Sequence, residues 1–441
     1  MNKRTEVTII GGGAAGLTAA YDLHKKGRKV VVLEAAERTG GVIASRHVEG
    51  FDLDLGPNSL QVTTALEELI KALGLESAVL EAAPVSRNRY LVKQKRLYAL
   101  SPHPLALLKS PYLSLAAKGR LLTERFRPKG GSEDQSVGAF FARRFGHEIC
   151  QAMVDPIFSG IYAGDIDKLS LEQVLPIAAR WEKTYGSVTK GLLQEKGALK
   201  TGRRVINFEG GLERLVSALA APVSAFIETN ARVTDVRSTA GGYRVTYARG
   251  GEDHVLESSH LIWAAPLNTL AGLSLFEGLR GTFGEVDYAS VRVLHVALPQ
   301  DNLRLPAGFG FLVPSRERLS LLGCIFSSSV FPSKAPQGQV LLTVMTGGAH
   351  QAAAVESQVL ERDALNDLRD ILHIQGEVRV LHAHTWNRAI PQKNLGYAWL
   401  LQVLEAFEQS HPRFRFVGSA LSGVSVGDCM AYASQAAAAI L

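Results

Sequence analysis

The opening of the chain, up to Glu34, constrains the fold more than any other stretch. It contains, in this order, an apolar run at 7–10, the glycines of a Gly11-x-Gly13-x-x-Gly16 pattern, a helical pattern, and a second apolar run at 30–33. In a strand–helix–strand unit the first glycine permits a tight turn, the second lets a pyrophosphate reach the backbone, and the third lets the helix pack closely on the strand. The start of the helix offers N–H groups to the phosphates, and Glu34 can accept a hydrogen bond from a ribose hydroxyl. These residues predict a dinucleotide site.

Length and composition set the broad class. A chain of 441 residues with 46% hydrophobic side chains predicts two or three globular domains rather than a disordered protein. The three cysteines are too few and too widely spaced for a disulfide framework or a zinc site, which favours a reducing compartment. The first strand begins within a few residues of Met1, which leaves no room for a signal peptide, and no run of about 18 apolar residues is present. We therefore expect a cytoplasmic protein.

Strand-like and helix-like patterns alternate along the chain in a discontinuous order. Residues 1–85 and 203–265 carry Rossmann-like and antiparallel strand patterns, and residues 386–441 end in a strand, a loop and an alanine-rich helix. Residues 86–202 are mostly helical in pattern, and residues 266–385 are rich in strands. We therefore predict an α/β protein in which one domain is assembled from three separate segments.

The excess positive charge is concentrated between residues 93 and 129. Nine lysines and arginines lie there against a single acid, Glu124, although the net charge of the whole chain is only +6. Leucines and tyrosines between the charges, and prolines at 102, 104 and 111, favour short helices on an anionic membrane surface over a nucleic-acid site. A solvated helical face is the alternative.

Five further motifs carry a resemblance to a known family. They are Arg38-Thr-Gly-Gly41, Leu55-Gly-Pro-Asn-Ser59, Phe158-Ser-Gly-Ile-Tyr-Ala-Gly-Asp165, Ala389-Ile-Pro-Gln392 and Gly423-Val-Ser-Val-Gly-Asp-Cys429. With the glycine-rich start, they resemble the amine-oxidase-like flavoproteins and, within them, the protoporphyrinogen oxidases. The resemblance covers essentially the whole chain. It implies a Rossmann-type FAD-binding domain (1–85, 203–265 and 386–441), a β-rich substrate-binding domain (266–385) and a helical membrane-binding insertion (86–202).

The resemblance also implies a reaction. Protoporphyrinogen oxidases of this family convert protoporphyrinogen IX to protoporphyrin IX in heme biosynthesis, by three two-electron steps in which FAD takes up the electrons and O₂ reoxidises it. We accordingly expect a porphyrinogen substrate, O₂ as acceptor and peripheral attachment to an anionic membrane. A homodimer is compatible with the sequence, which does not determine the oligomeric state.

The family's functional positions can be carried over to this chain by motif. Asn58 is the candidate catalytic residue, since its carboxamide can face the bound substrate. The substrate-binding candidates are Arg89, whose guanidinium would hold a propionate, and the residues that would line the macrocycle slot, namely Gly310, Leu312, Ile325 and Met345. The FAD-binding candidates are Gly11, Gly12, Gly13, Ala14, Ala15, Gly16, Glu34, Ala35, Gly41, Val42, Gly56, Pro57, Asn58, Ser59, Val233, Val424, Ser425 and Val426.

The chain departs from the family in one loop. Lys393 and Tyr397 stand where the family often has an aromatic residue and a histidine, and Ala398 stands where some members have tryptophan. No metal site, Ser-His-Asp set or Cys-His set is evident, which suits chemistry carried by a cofactor. Three alternatives stay open: oxidation of coproporphyrinogen III by the same fold, an amine oxidase or carotenoid desaturase, and a flavin-binding scaffold without activity.

Overall fold

The computed structural model describes residues 3–100, 108–130, 134–195, 204–284, 286–349 and 357–440. Prolines 102 and 104 of the basic segment lie outside these ranges. The described chain forms two seven-stranded sheets and a group of helices. The two sheets are built from segments that alternate along the sequence.

The first sheet, which we call the Rossmann sheet, contains the opening strand Lys3–Ile10 near its centre. Its strands in spatial order are Ile227–Glu228, Val30–Leu33, Lys3–Ile10, Glu252–Trp263, Gly242–Arg249 and Arg232–Thr239, and Phe414–Phe416 also pairs with Glu252–Trp263. The opening strand is parallel to both of its neighbours, with Ile10 beside Leu33 and Trp263. Parallel strands of this kind are buried on both faces, which explains their unbroken apolar runs.

Two helices cover one face of the Rossmann sheet. The first helix, Ala14–Lys25, and the last, Val426–Ala438, pack together through small residues that include Ala15, Ala19, Ala433 and Ala437. Because alanine side chains are short, the two helices approach each other closely. The first helix begins at Ala14, shortly after the opening strand ends, and Ala14 and Val426, the first residues of the two helices, pack against the same apolar core.

The second sheet, which we call the substrate sheet, is mixed. Its strands in spatial order are Arg379–Pro391, Tyr288–Pro299, Gln339–Gly347, Gly323–Ile325, Gly310–Leu312, Arg89–Lys93 and Arg96–Leu100. One face packs on the helix Ser357–Leu372 through a core that includes Phe311, Val344 and Leu368. The opposite face is turned toward the Rossmann sheet and the helical group.

The helical group lies between residues 108 and 195. Its α-helices are Leu115–Leu122, Val137–Phe145, His147–Ile149, Asp155–Tyr162, Leu171–Val174, Pro176–Tyr185 and Val188–Gln194, with a π-helical turn at Cys150–Val154. Its core includes Phe140, Phe158 and Trp181. Within this core Arg144 and Glu124, both fully buried, form an ion pair. Among the described residues no helix is long and apolar enough to cross a bilayer.

The remaining regular elements connect these parts. The strands are Ser45–Val48 paired with Phe51–Asp54, and Leu60–Gln61 and Val79–Glu81 paired with Val205–Phe208. The α-helices are Thr64–Ala72, Glu213–Ala220, Arg280–Gly284, Ser327–Val330, Tyr397–Ser410 and Ser419–Ser422. The 3₁₀ turns are Glu76–Ala78, Pro84–Arg87, Glu124–Phe126, Ala221–Phe226, Leu267–Gly272, Ser274–Leu279, Gln300–Asn302, Ser315–Glu317 and Pro332–Lys334.

Two segments belong to a different part of the fold from the one that the sequence pattern suggests. The hairpin Arg89–Leu100 lies in the substrate sheet and not in the helical group, and the strand Arg379–Pro391 continues in that sheet past residue 386. The basic segment is divided as a result. Lys95 forms an ion pair with Asp370 on the far side of the sheet, away from the basic residues of the helical group. Short hairpins that pair with distant strands carry no local signal of their partner.

Candidate dinucleotide and substrate site

The glycines after the opening strand have distinct structural roles. Gly11 has a φ of +105° and donates its N–H to Leu33 O at 2.9 Å, so it makes the turn. A Cβ atom at Gly16 would lie 1.9 Å from Gly11 O, so that position has no space for any side chain. A Cβ at Gly13 would meet no protein atom closer than 3.9 Å. Packing therefore demands glycine at 11 and 16, whereas the space beside Gly13 is open.

Glu34 lies where a ribose-binding acid is expected. Its carboxylate accepts the N–H of Gly12 at 2.6 Å and the N–H of Ala36 at 2.8 Å. Each oxygen keeps lone-pair capacity, so the group can also accept from a hydroxyl. Its carbonyl accepts the N–H of Ala231 at 2.8 Å, which brings the start of the strand containing Val233 beside Glu34 and the exposed Ala35.

The Arg38–Gly41 loop forms a second wall over the glycine loop. Gly40 donates its N–H to Gly12 O at 2.7 Å, and the Arg38 guanidinium donates to the carbonyls of Thr39 and Gly41 at 2.8 and 2.7 Å. A Cβ at Gly56 would lie 1.9 Å from Val42 O, which shows how closely the 56–59 loop passes over this wall. Gly41, Val42 and Gly56 are thus brought together although they are distant in sequence.

The loop Leu55–Ser59 is held from below by a buried polar cluster. Asp54 accepts hydrogen bonds from Ser45 Oγ, Leu212 N and Asn207 Nδ2 at 2.7–2.8 Å and pairs with Lys334. Asn207 also donates to Asn58 O at 2.8 Å. These contacts fix the loop from beneath and leave its half-buried outer residues, Gly56 to Ser59, facing away from the cluster.

The side chain of Asn58 donates to Gly56 O at 2.9 Å. Its amide oxygen and second N–H remain available, so Asn58 can orient a polar group of a substrate. A carboxamide has no basic nitrogen and does not take up a proton at neutral pH, which limits Asn58 to orientation. His295, which contacts Asp54 O at 3.0 Å, is no base either, because burial lowers its pKa to about 4.

The last loop lies at the start of the final helix. The Ser425 hydroxyl caps that helix by accepting from the N–H of Asp428. Val424 packs against the helical group, and Val426 packs against the core under the Rossmann sheet. Within the described part of the chain, the N–H groups of Val424, Ser425 and Val426 donate to no acceptor. Such groups, at the positive end of a helix dipole, suit a ligand that carries negative charge.

The substrate-binding candidates of the substrate sheet share one face. Leu312 pairs with Gly323, which pairs with Met345, and Gly310 pairs with Ile325 two positions along. Because residues two apart on a strand point to the same side, Leu312, Ile325 and Met345 all lie on the face opposite Phe311 and the helix Ser357–Leu372. Leu312 reaches Gly160 of the helical group, where an added Cβ would lie 2.5 Å from it.

Two of these candidates have roles that need no ligand. Gly310 has a φ of +150°, and a Cβ there would lie 2.0 Å from Cys324 O, so the neighbouring strand itself requires glycine. Met345 packs with Val293 and Ala163 in a small apolar cluster that joins the sheet to the helical group. Met345, Leu312 and Ile325 are each half-buried, so part of each side chain remains accessible to a bound molecule.

Arg89 begins the strand beside Gly310–Leu312, and alternation along that strand puts it on the same face as Leu91. Its guanidinium lies over the Phe309 ring, 5.1 Å from the centroid. Within the described ranges no carboxylate pairs with the guanidinium, which is exposed and stays charged. Arg89 is therefore a cation at the edge of the substrate sheet that is free to pair with a ligand carboxylate.

Sequence reasoning did not single out the polar cluster beneath the 55–59 loop. Asp54, Asn207 and Lys334 lie in three separate segments, and each residue type is common in exposed loops. Their burial depends on the packing of the strand Phe51–Asp54 against segments more than a hundred residues away. No local signal identifies them.

The residues present fit a dinucleotide such as FAD. The space beside Gly13 is open, the Glu34 carboxylate lies against the glycine loop, and the N–H groups of the last loop donate to no acceptor of the described residues. Among the residues that the structure describes, no group of three potential metal ligands is present. The three cysteines are free and buried. Burial raises the pKa of the Cys429 thiol, although Ser422 donates a hydrogen bond to its sulfur. Because the thiol therefore stays protonated, Cys429 is unsuited to nucleophilic attack.

Comparison with known proteins agrees with this geometry. The family model described as flavin containing amine oxidoreductase matches residues 14–441. The chain is 30% identical to human protoporphyrinogen oxidase (99% of this chain, 98% of the relative) and 28% identical to Arabidopsis thaliana protoporphyrinogen oxidase 2 (98% and 92%). It is 26% identical to the coproporphyrinogen III oxidase of Bacillus subtilis (97% and 96%).

Solved structures show the same fold. A protein from Exiguobacterium sp. 255-15 superposes with a TM-score of 0.82 over 100% of this chain and 99% of its own, at 22% identity. Reduced UDP-galactopyranose mutase superposes with a TM-score of 0.75 over 98% of this chain and 93% of its own, at 16% identity. At these identities the likeness concerns the fold.

Proposed function

Since this chain belongs to the family of flavin-containing amine oxidoreductases and is an FAD-dependent oxidoreductase, we propose that it oxidises a porphyrinogen, with protoporphyrinogen IX as its substrate and O₂ as acceptor. The relatives that span nearly the whole chain are porphyrinogen oxidases, which supports the substrate class. The observation that carries the proposal is the common face of the substrate sheet. Leu312, Ile325 and Met345 offer an apolar surface there, and Arg89 offers a cation at its edge.

FAD and the side chains of the site would contribute to the reaction in different ways. Bound FAD supplies a two-electron acceptor. The apolar side chains of the substrate sheet would lie against the flat macrocycle and exclude water. Asn58 would orient it by hydrogen bonds, and Arg89 would hold a propionate by a bidentate ion pair. No strong base is required of the protein at any of these positions.

Arg89 also bears on the choice of substrate. Protoporphyrinogen carries two propionates and coproporphyrinogen carries four, so a site whose edge offers the Arg89 guanidinium, unpaired among the described residues, suits the less charged molecule. The deciding experiment is a steady-state assay of the purified holoenzyme with both porphyrinogens. We expect the higher kcat/KM with protoporphyrinogen. A higher value with coproporphyrinogen would reverse the assignment and agree with the Bacillus subtilis relative. Peroxide release with amines alone would refute the whole substrate class.

We also propose that the helical group binds an anionic membrane. Leu115, Leu122 and Phe126 are 85%, 62% and 72% exposed on adjoining turns, and Arg125 and Lys129 are exposed beside them. Exposed apolar side chains ringed by cations are typical of surfaces that lie on lipid headgroups. A poorly soluble substrate would reach the enzyme directly from such a membrane.

Vesicle flotation tests this attachment. Wild-type protein should float with vesicles that contain 30% phosphatidylglycerol and stay behind with pure phosphatidylcholine, and 0.5 M salt should weaken the binding. The variant Leu122→Ser/Phe126→Ser should lose flotation, whereas Phe226→Ser, an exposed phenylalanine of another region, should retain it. Equal flotation of all three proteins would refute the surface.

A further inference from the structure

Lys393 is a buried cation in the loop that departs from the family pattern. The residue is only 4% exposed. Its ammonium donates to Leu421 O at 3.2 Å and lies 5.7 Å from the centroid of the Tyr397 ring. No carboxylate of the described residues forms an ion pair with it.

Burying the Lys393 ammonium costs free energy unless an opposite charge lies close to it. An ammonium has three donors and Lys393 uses one of them on protein, whereas burial of an uncompensated charge costs several kcal/mol. Lys334, equally buried, shows the usual solution, since it pairs with Asp54. Burial correspondingly lowers the pKa of the Lys393 ammonium. Among the described residues, no acid supplies Lys393 with a counter-charge.

The position of Lys393 indicates where that counter-charge lies. Leu421 belongs to the helix Ser419–Ser422, which leads directly into Gly423 and the loop of Val424–Val426. The Tyr397 hydroxyl holds the neighbouring carbonyl, Ala420 O, at 2.9 Å. Lys393 therefore contacts the short helix that leads into the loop of Val424–Val426, whose N–H groups donate to no acceptor of the described residues.

We propose that Lys393 is the counter-charge of reduced FAD and raises the reduction potential of the flavin in this enzyme. This inference rests on FAD binding and not on the identity of the porphyrinogen. Transfer of a hydride brings two electrons and one proton to the flavin and leaves it with one additional negative charge. The substrate would lose the same hydride, and O₂ would later take up the two electrons together with the flavin's proton and one proton from solvent, giving hydrogen peroxide. An ammonium held near that charge in a poorly solvated site stabilises the reduced form relative to the oxidised form.

The test is the flavin's own redox chemistry, measured without substrate. In Lys393→Gln, which can keep the hydrogen bond to Leu421 O but has no charge, we expect the midpoint potential to fall by at least ~30 mV, equivalent to tenfold in the two-electron equilibrium. Sulfite, which adds to oxidised flavin and gives an anionic adduct, should bind about tenfold more weakly. Lys393→Arg should retain both values near wild type, and Lys71→Met, at an exposed helical site, is the control.

A second neutral variant separates charge from packing. Lys393→Met removes both the charge and the hydrogen bond, so its potential should match that of Lys393→Gln if charge is the cause. Wild-type potential and sulfite affinity in Lys393→Gln, with FAD bound stoichiometrically, would overturn the proposal. Failure of Lys393→Arg to restore either value would do the same. Neither readout uses a porphyrinogen, so failure here is distinguishable from an incorrect substrate assignment.

Discussion

Adding one methyl group at residue 13 should weaken FAD binding without disturbing the fold. Gly13 has φ −75° and ψ −179°, which any residue adopts without strain, and a Cβ there would meet no protein atom within 3.9 Å. The methyl group of Gly13→Ala would instead occupy the space through which a pyrophosphate approaches the start of the first helix. The loss of one hydrogen bond to a charged phosphate costs about 1.5–3 kcal/mol. The Kd for FAD should therefore rise about 10- to 150-fold.

Gly16→Ala is the matched contrast. Its Cβ would lie 1.9 Å from Gly11 O, so the first helix would have to move away from the strand, and the apoprotein itself should be destabilised. The assay is a fluorescence titration of each apoprotein with FAD, together with thermal unfolding of the same samples. For Gly13→Ala we expect a melting temperature within about 4 °C of wild type, since alanine at a helix N-cap costs about 1 kcal/mol or less relative to glycine. An unchanged Kd for Gly13→Ala would refute the view that the cofactor crosses this residue.

Three further predictions concern the substrate edge, the polar cluster and the helical group. Arg89→Ala should raise KM for the porphyrinogen at least tenfold while kcat changes less than about threefold, because the guanidinium binds the substrate and the transition state about equally. Arg87→Ala, at an exposed neighbouring residue, should leave KM and kcat unchanged in the same steady-state assay. Lys334→Met should lower the free energy of unfolding by about 3–5 kcal/mol in urea titrations because it leaves Asp54 buried without its cation, and Asp54→Asn/Lys334→Met should recover part of that loss. Burial disfavours ionised Glu124, but hydrogen bonds from Ser187, Arg144 and Thr189 outweigh burial and lower its pKa. Its stabilising contribution is therefore complete above the unfolded-state pKa of about 4.3 and is lost as pH falls through the lower folded value, so unfolding measured against pH should show a steeper acid loss in wild type than in Glu124→Gln.

The sequence by itself carried the prediction of a dinucleotide site. The strand, the three glycines, the helix and Glu34 lie within about thirty residues, and each acts through backbone geometry that its own neighbours set. The family motifs likewise identified the flavin class. The predicted α/β class is confirmed by the two sheets and their helices, because apolar periodicity is a local property.

Only the tertiary structure decided which side chains are buried and what they pair with. The hairpin Arg89–Leu100 joined the substrate sheet because its partner strand lies more than two hundred residues away, which no local pattern records. Lys334 and Lys393 look alike in the sequence, yet Lys334 is paired with Asp54, whereas Lys393 is buried and forms an ion pair with no acid of the described residues. The free energy of a buried charge depends on its surroundings in space, and those surroundings exist only after distant segments have packed together.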